Sequence, residues 1–257
     1  MKRLRPETPK IDVKDLLNQV ANEAQGKQQS QMQSEALFKN FNSFMKQIID
    51  TQNTQFLNGN VNMIDYVLSK YLKVDVGEVE KLMKISIRIN GTYGLLNQFG
   101  QRLSNLLYLK LSNSLIQSIS DIGTSFSKLK ILQMNNCRLK ELNGIVCFEH
   151  LEVFEAKNNL INDLIEIEMC SSIVKLDLEN NIIEDEENIY FLSSLDKLEY
   201  LNLKGNPLRN YEEKLKELCP SLLHIDENVN ICDDDYDKYL SSKLMNTTIN
   251  LSDSIST

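Results

Sequence analysis

The chain is short of the residues from which active sites are usually built. Nine glycines are scattered over 257 residues with neither a Gly-x-Gly-x-x-Gly run nor a Walker motif, so no loop is suited to cradling phosphate. Only two histidines occur, His150 and His224; neither lies beside a Ser or Cys in a nucleophile setting, and both read as surface residues. The five cysteines (Cys137, Cys147, Cys170, Cys219 and Cys232) include no Cys-x-x-Cys pair. That argues against a disulfide scaffold or zinc site and for a reducing compartment. No apolar run reaches the ~20 residues of a membrane-spanning helix. The basic start (Lys2, Arg3, Arg5) turns polar and not apolar, unlike a signal peptide. No catalytic, cofactor-binding or metal-ligating set emerges, and the expectation is a protein that is not an enzyme and needs no cofactor.

Charge narrows the partners. The net charge is −8, yet residues 1–50 carry eight Lys/Arg against six Asp/Glu, a net +2, which leaves about −10 on the rest. An acidic body repels nucleic acid and anionic membrane at long range, so the expected partners are proteins, and the chain by itself is expected to be a monomer.

What the chain does have is a repeat. Five segments beginning at Leu106, Leu129, Leu151, Ile173 and Leu198 share an apolar-x-x-apolar-x-apolar-x-x-(Asn-like)-x-apolar pattern. Their inner positions are Leu109/Leu111, Leu132/Met134, Phe154/Ala156, Leu176/Leu178 and Leu201/Leu203, and their Asn-like positions are Ser114, Cys137, Asn159, Asn181 and Asn206. The spacing falls within the roughly 20–29 residues of leucine-rich repeats. Alternating apolar residues turn one side of a short strand into the core, and the Asn-like side chain is placed to hydrogen-bond backbone that would otherwise be buried unpaired. Cys137, in that slot, reads as a small structural residue. A second apolar series, Ile119/Ile122, Leu142/Ile145 and Leu164/Ile167, predicts a convex wall of short helical or 3₁₀ turns. The fold class is α/β: a leucine-rich-repeat solenoid with a short-strand parallel concave sheet, about five full repeats and two caps. Leu82, Ile85, Ile87 and Asn90 read as a degenerate first rung. A short helix from Tyr211 to Leu218 and a half-strand with Leu222 and Ile225 read as the far cap.

The division expected along the chain is a partly disordered extension with amphipathic helices over 1–60, a helical cap and degenerate repeat over 61–90, the repeat domain with its far cap over 91–229, and an acidic Ser/Thr-rich tail over 230–257. In the extension, Leu37, Phe41, Phe44 and Ile48 recur at helical spacing, as a stripe that packs on the solenoid or on a partner helix. The acidic run Glu184–Glu187 reads as a solvated convex loop, and the tail as solvated chain.

Binding is expected on the outward side of the strands. One column reads Tyr108, Ile131, Val153, Lys175 and Tyr200; the next Lys110, Gln133, Glu155, Asp177 and Asn202; the third Ser112, Asn135, Lys157, Glu179 and Lys204. Aromatic and aliphatic residues rimmed by charge suit a protein interface, so Tyr108→Ala with Tyr200→Ala is expected to weaken partner binding without unfolding the domain.

The repeat form resembles the short repeat class of phosphatase regulators and of the axonemal dynein light chain. A closer resemblance is carried by the run NGTYGLLNQFGQRLSNL over 90–106, by Leu109–Leu111, by DIGTSF over 121–126 and by LEYLNLKGNP over 198–207. Over roughly residues 70–229 the chain resembles the leucine-rich repeat-containing protein 56 family, outer dynein arm assembly factors of cilia and flagella. The resemblance implies a non-enzymatic factor in the cytoplasm and cilium that helps outer-arm dyneins mature or load onto intraflagellar transport, with dynein or transport subunits as partners. The alternatives are a phosphatase-regulatory subunit and a structural axonemal protein.

Overall fold

Residues 65, 68–69, 75–91 and 95–227 are described by the computed structural model of the chain; the expected helices of the N-terminal extension and the tail from residue 230 lie outside them. Each rung supplies only two or three residues to a strand: β1 Lys84–Ser86, β2 Tyr108–Lys110, β3 Ile131–Gln133, β4 Val153–Glu155, β5 Lys175–Asp177, β6 Tyr200–Asn202 and β7 His224–Ile225. They form one sheet in sequential order, all parallel. The fold is a leucine-rich-repeat solenoid.

Inside it, the repeat leucines Leu109, Leu132, Leu176 and Leu201 and the convex series Ile119, Ile122, Leu142, Ile145, Leu164 and Ile167 make one continuous core. The convex wall is built from 3₁₀ turns over Ile119–Ile122, Ile145–Cys147 and Ile165–Met169 and from the helices α1 Leu95–Arg102, α2 Glu187–Leu192 and α3 Glu212–Leu218. The acidic run is therefore not wholly a loop, because Glu187 opens α2. Its helix buries Asn188, Ile189 and Leu192, and Asn188 Oδ1 accepts the buried Leu164 N–H at 2.7 Å.

The Asn-like positions form a buried spine. Asn159 Oδ1 accepts the N–H groups of Cys137 and Leu139 in the preceding repeat, at 2.9 and 3.0 Å. Asn181 does the same for Ile161 and Asn206 for Ile183, both at 3.1 Å. Asp226 closes the series, with Oδ1 accepting Leu203 N–H at 2.7 Å. Cys137 fits its slot as a buried side chain whose thiol donates to the Leu111 carbonyl at 3.1 Å; burial pushes that thiol up to about 11. One residue before each spine position the backbone is left-handed, at Asn113, Asn136, Asn158, Asn180 and Gly205. Asparagine and glycine are the residues that adopt this conformation at least cost.

The first rung departs from the others. Lys84 pairs with Tyr108, but Asn90 bridges Leu115 and not Ser114, so its turn is one residue shorter. The shift makes Ile89 a core residue, leaves Ile87 half-buried, and leaves Asn90 outside the buried spine.

The two stretches that carry the family resemblance lie against each other. Asn97 on α1 accepts from the Ser125 hydroxyl at 2.8 Å. A Cβ on Gly123 (φ +80) would sit 2.5 Å from Asn97, and one on Gly100 2.8 Å from Ser125 Cβ. The Ser118/Asp121 capping box starts the turn that places Gly123. These motif residues lock the first convex helix onto the next turn; their role is architectural.

Candidate protein-binding face

Strand register fixes which outward side chains become neighbours. Lys84, Tyr108, Ile131, Val153, Lys175, Tyr200 and His224 stand side by side on β1 to β7, and Ser86, Lys110, Gln133, Glu155, Asp177 and Asn202 form the adjoining column. The predicted site residues do come together on one face, and Lys84 and His224 extend it at both ends.

They are linked across the strands. Lys84 Nζ lies 4.8 Å from the centre of the Tyr108 ring, and the Tyr108 hydroxyl donates to Gln133 Oε1. Gln133 Nε2 donates to Glu155 at 2.7 Å, and Lys175 Nζ donates to the other carboxylate oxygen at 2.6 Å. Lys175 also sits 5.1 Å from the centre of the Tyr200 ring, whose hydroxyl donates to the Glu227 carbonyl at 2.7 Å. One interaction chain thus runs from β1 to β6 and on to Glu227, just past β7. A parallel line joins Lys157 to Asp177 at 2.9 Å and to Glu179 at 3.4 Å, and Asn202 donates to Glu179 at 3.4 Å. Burial pushes the Asp177 carboxyl above its usual range despite Lys157. Burial also works against the Lys157 charge, but Asp177 and Glu179 outweigh it and hold that ammonium above its ordinary value.

The expectation that this face lies open to solvent needs correcting. Tyr108 and Ile131 are 0% exposed, Lys175 5% and Tyr200 6%, and Gln133, Glu155, Asp177 and Asn202 are also buried. Lys110, Asn135, Val153, Lys157 and Glu179 are half-buried, and Lys204 is exposed. Leu107, Tyr108 and Ile131 pack there with Met83 and Val153 in a second apolar cluster, separate from the main core. A column of this bulk is not left in water. Truncating Tyr108 and Tyr200 therefore removes buried contacts and does not isolate a binding effect.

Elsewhere, large apolar side chains do reach solvent. Leu115, Leu160 and Ile182, each next to a spine position, are 39%, 40% and 48% exposed, and Ile165, Met169 and Tyr190 are exposed on the convex wall. His150 lines a shallow cleft with Lys130, Glu152, Ser172, Val174 and Lys197. There Lys130 pairs with Glu152 at 2.5 Å, and the Ser172 hydroxyl donates to the Glu149 carbonyl. Among the described residues no cluster of His, Cys, Asp and Glu could hold a metal ion, and no helix is long and apolar enough to cross a membrane.

The chain is similar to leucine-rich repeat-containing protein 56 of Rattus norvegicus, with 33% identity over 73 residues, 28% of this chain and 13% of that protein. The Homo sapiens protein of the same name is 32% identical over 77 residues, 30% of this chain and 14% of the relative. The matched stretch thus spans about one seventh of these relatives' length. No family model matches the chain. Among solved structures, a leucine-rich-repeat protein of Leptospira interrogans is 25% identical with a TM-score of 0.44, covering 51% of this chain and 33% of that one. An internalin of Listeria monocytogenes is 17% identical with a TM-score of 0.40, covering 50% and 43%.

Proposed function

We propose that this chain is a protein-binding adaptor without catalytic activity, and that it serves the assembly or intraflagellar transport of outer dynein arms in the cytoplasm and cilium. The observation that carries the binding reading is the in-register face. Seven parallel strands at about 4.8 Å spacing give a surface about 29 Å across, with side chains of fixed order on a rigid scaffold. Such surfaces suit protein partners, and the acidic body favours partners that are neutral or basic. The dynein part rests on the resemblance carried by residues 90–106 and 121–126 and on the likeness to the curated relatives; fold alone does not select a partner.

The test is affinity purification of the tagged full chain from ciliated cells, with mass spectrometry of soluble and axonemal fractions. Outer-arm dynein chains or transport subunits enriched in the soluble fraction are expected. A phosphatase catalytic subunit with no dynein in either fraction would overturn the dynein reading and leave the adaptor reading standing.

A further inference from the structure

The outward side chains of an open sheet with nothing over them stand in solvent, yet here Tyr108, Ile131, Lys175 and Tyr200 are buried, as is the adjoining column from Gln133 through Glu155 and Asp177 to Asn202. The described helices and 3₁₀ turns pack on the other side of the strands, against the main core, and Asp65 is held at that side too, 2.7 Å from Arg102 of α1. The cover must come from elsewhere. We propose that the concave face is occupied by the chain's own C-terminal segment, residues 233–245, docked as an intramolecular ligand.

The path of the chain supports this. After β7 the backbone is drawn onto the concave face. The Tyr200 hydroxyl donates to the Glu227 carbonyl at 2.7 Å, His224 Nδ1 lies 2.8 Å from the Glu227 carboxylate, and Lys204 Nζ donates to the Asp226 carbonyl at 3.2 Å. Glu227, the last described residue, therefore stands over the last strands of the sheet.

The chemistry of the segment then matches the face in order. Asp233, Asp234, Asp235 and Asp237 come first, and Tyr236, Tyr239, Leu240 and Leu244 recur at the i, i+3, i+4, i+8 spacing of one helical face. The sheet, crossed from β7 towards β1, presents Lys175, then the apolar Val153, Ile131 and Tyr108, then Lys84. Lys175 lies two strands from β7, about 10 Å, and Tyr108 five strands away, about 24 Å. Aspartates six to ten residues past Glu227, at about 1.5 Å per residue, reach Lys175, and Leu240 and Leu244 reach Ile131 and Tyr108. The N-terminal stripe fits less well. It carries Lys39 and Lys46 and would enter from the end of the sheet that already holds Lys84, Arg88 and Lys110.

The docking stands without the dynein reading; only the corollary that the tail competes with the partner rests on it. The experiment is hydroxyl-radical footprinting of Tyr108 in the full chain, with Tyr190, which is 53% exposed, as the internal standard. Tyr108 is expected to be protected in the unmodified chain. In Tyr239→Asp/Leu240→Asp/Leu244→Asp it rises towards the Tyr190 rate, and in Phe41→Asp/Phe44→Asp it stays protected. The proposal is overturned by a reactive Tyr108 in the unmodified chain, by a Tyr108 still protected in the tail variant, or by exposure in the N-terminal variant, which would make that stripe the occupant. If the tail variant loses its cooperative melt, carbodiimide cross-linking of the unmodified chain decides. Links from Asp233–Asp237 to Lys175 support the docking, and a map without them, or with links to Lys84 or Lys110 instead, overturns it.

Discussion

Asn159 is the sharpest test of what holds the repeats together. Its side chain is 5% exposed. Its oxygen is the acceptor for both the Cys137 and Leu139 amides, and its nitrogen donates to the Met134 and Ala156 carbonyls at 2.8 and 2.9 Å. Asn159→Ala leaves two buried amides without that acceptor, at about 1–3 kcal/mol each. The carbonyls lose less, since a carbonyl has two lone pairs and Ala156 also accepts from Asn181 at 2.9 Å. The total is about 3–5 kcal/mol, which at a urea slope of about 2 kcal/mol/M lowers the midpoint by about 2 M. The chain has no tryptophan, so far-UV circular dichroism is the probe. The neighbouring Asn158→Ala is the control: that side chain is exposed and its φ is +54, so its cost is about 1 kcal/mol of left-handed strain. Midpoints lowered equally by the two substitutions would refute the spine as the source of inter-repeat stability.

Gly123→Ala should destabilise by about 1–3 kcal/mol, because a positive φ and a close approach act together. Combining it with Asn97→Gly, which removes the Asn97 Cβ that a Gly123 Cβ would meet at 2.5 Å, should recover the contact part but not the φ part, read as a non-additive pair of melting temperatures. Tyr108→Ala should cost about 3–5 kcal/mol, checked by the same urea titration; a midpoint like that of the unmodified chain would mean the face is open in solution. Burial pushes the Cys137 and Cys170 thiols up to about 11 from 9.0. The unfolded chain therefore loses these protons first as pH rises. The stability is present below pH ~9 and falls by about 1.4 kcal/mol per pH unit per thiol up to pH ~11. Cys137→Ala should flatten the urea midpoint against pH in that window, and an unchanged slope would refute the assignment.

The solenoid could be read from the sequence because every rung repeats the same demand. Leu109, Leu132, Leu176 and Leu201 occupy one position of one pattern, and a pattern met five times over is not an accident of composition. Where a rung breaks the pattern, the reading fails in a definable way. Asn90 matches the spacing, but a turn one residue shorter sends Ile89 inward instead. Glu184–Glu187 look solvated as a charge run, yet Ile189 and Leu192 just beyond them are core residues, and a helix starting at Glu187 is what buries them. The left-handed Asn113, Asn136, Asn158, Asn180 and Gly205 left a trace, Asn or Gly at one repeat position, that only the backbone makes meaningful.

The face was legible in position and not in accessibility, and the two differ physically. A side chain's direction on a strand follows from a period of two and needs only local sequence. Its burial on the outward side depends on whatever lies over it, and distant segments make no periodic mark on the strands themselves. This difference has a consequence for binding. On the proposed docking, a tail tethered at Glu227 acts at an effective concentration of about 1 mM. If its intrinsic dissociation constant is about 10 μM, the face is open about 1% of the time and a partner's apparent affinity falls about a hundredfold. Such a partner must displace the aspartates from Lys175 as well as the apolar stripe from Ile131 and Tyr108. Neutralising Asp233, Asp234, Asp235 and Asp237 to asparagine should then tighten partner binding. A face regulated by nothing on this chain would show the same affinity before and after that change.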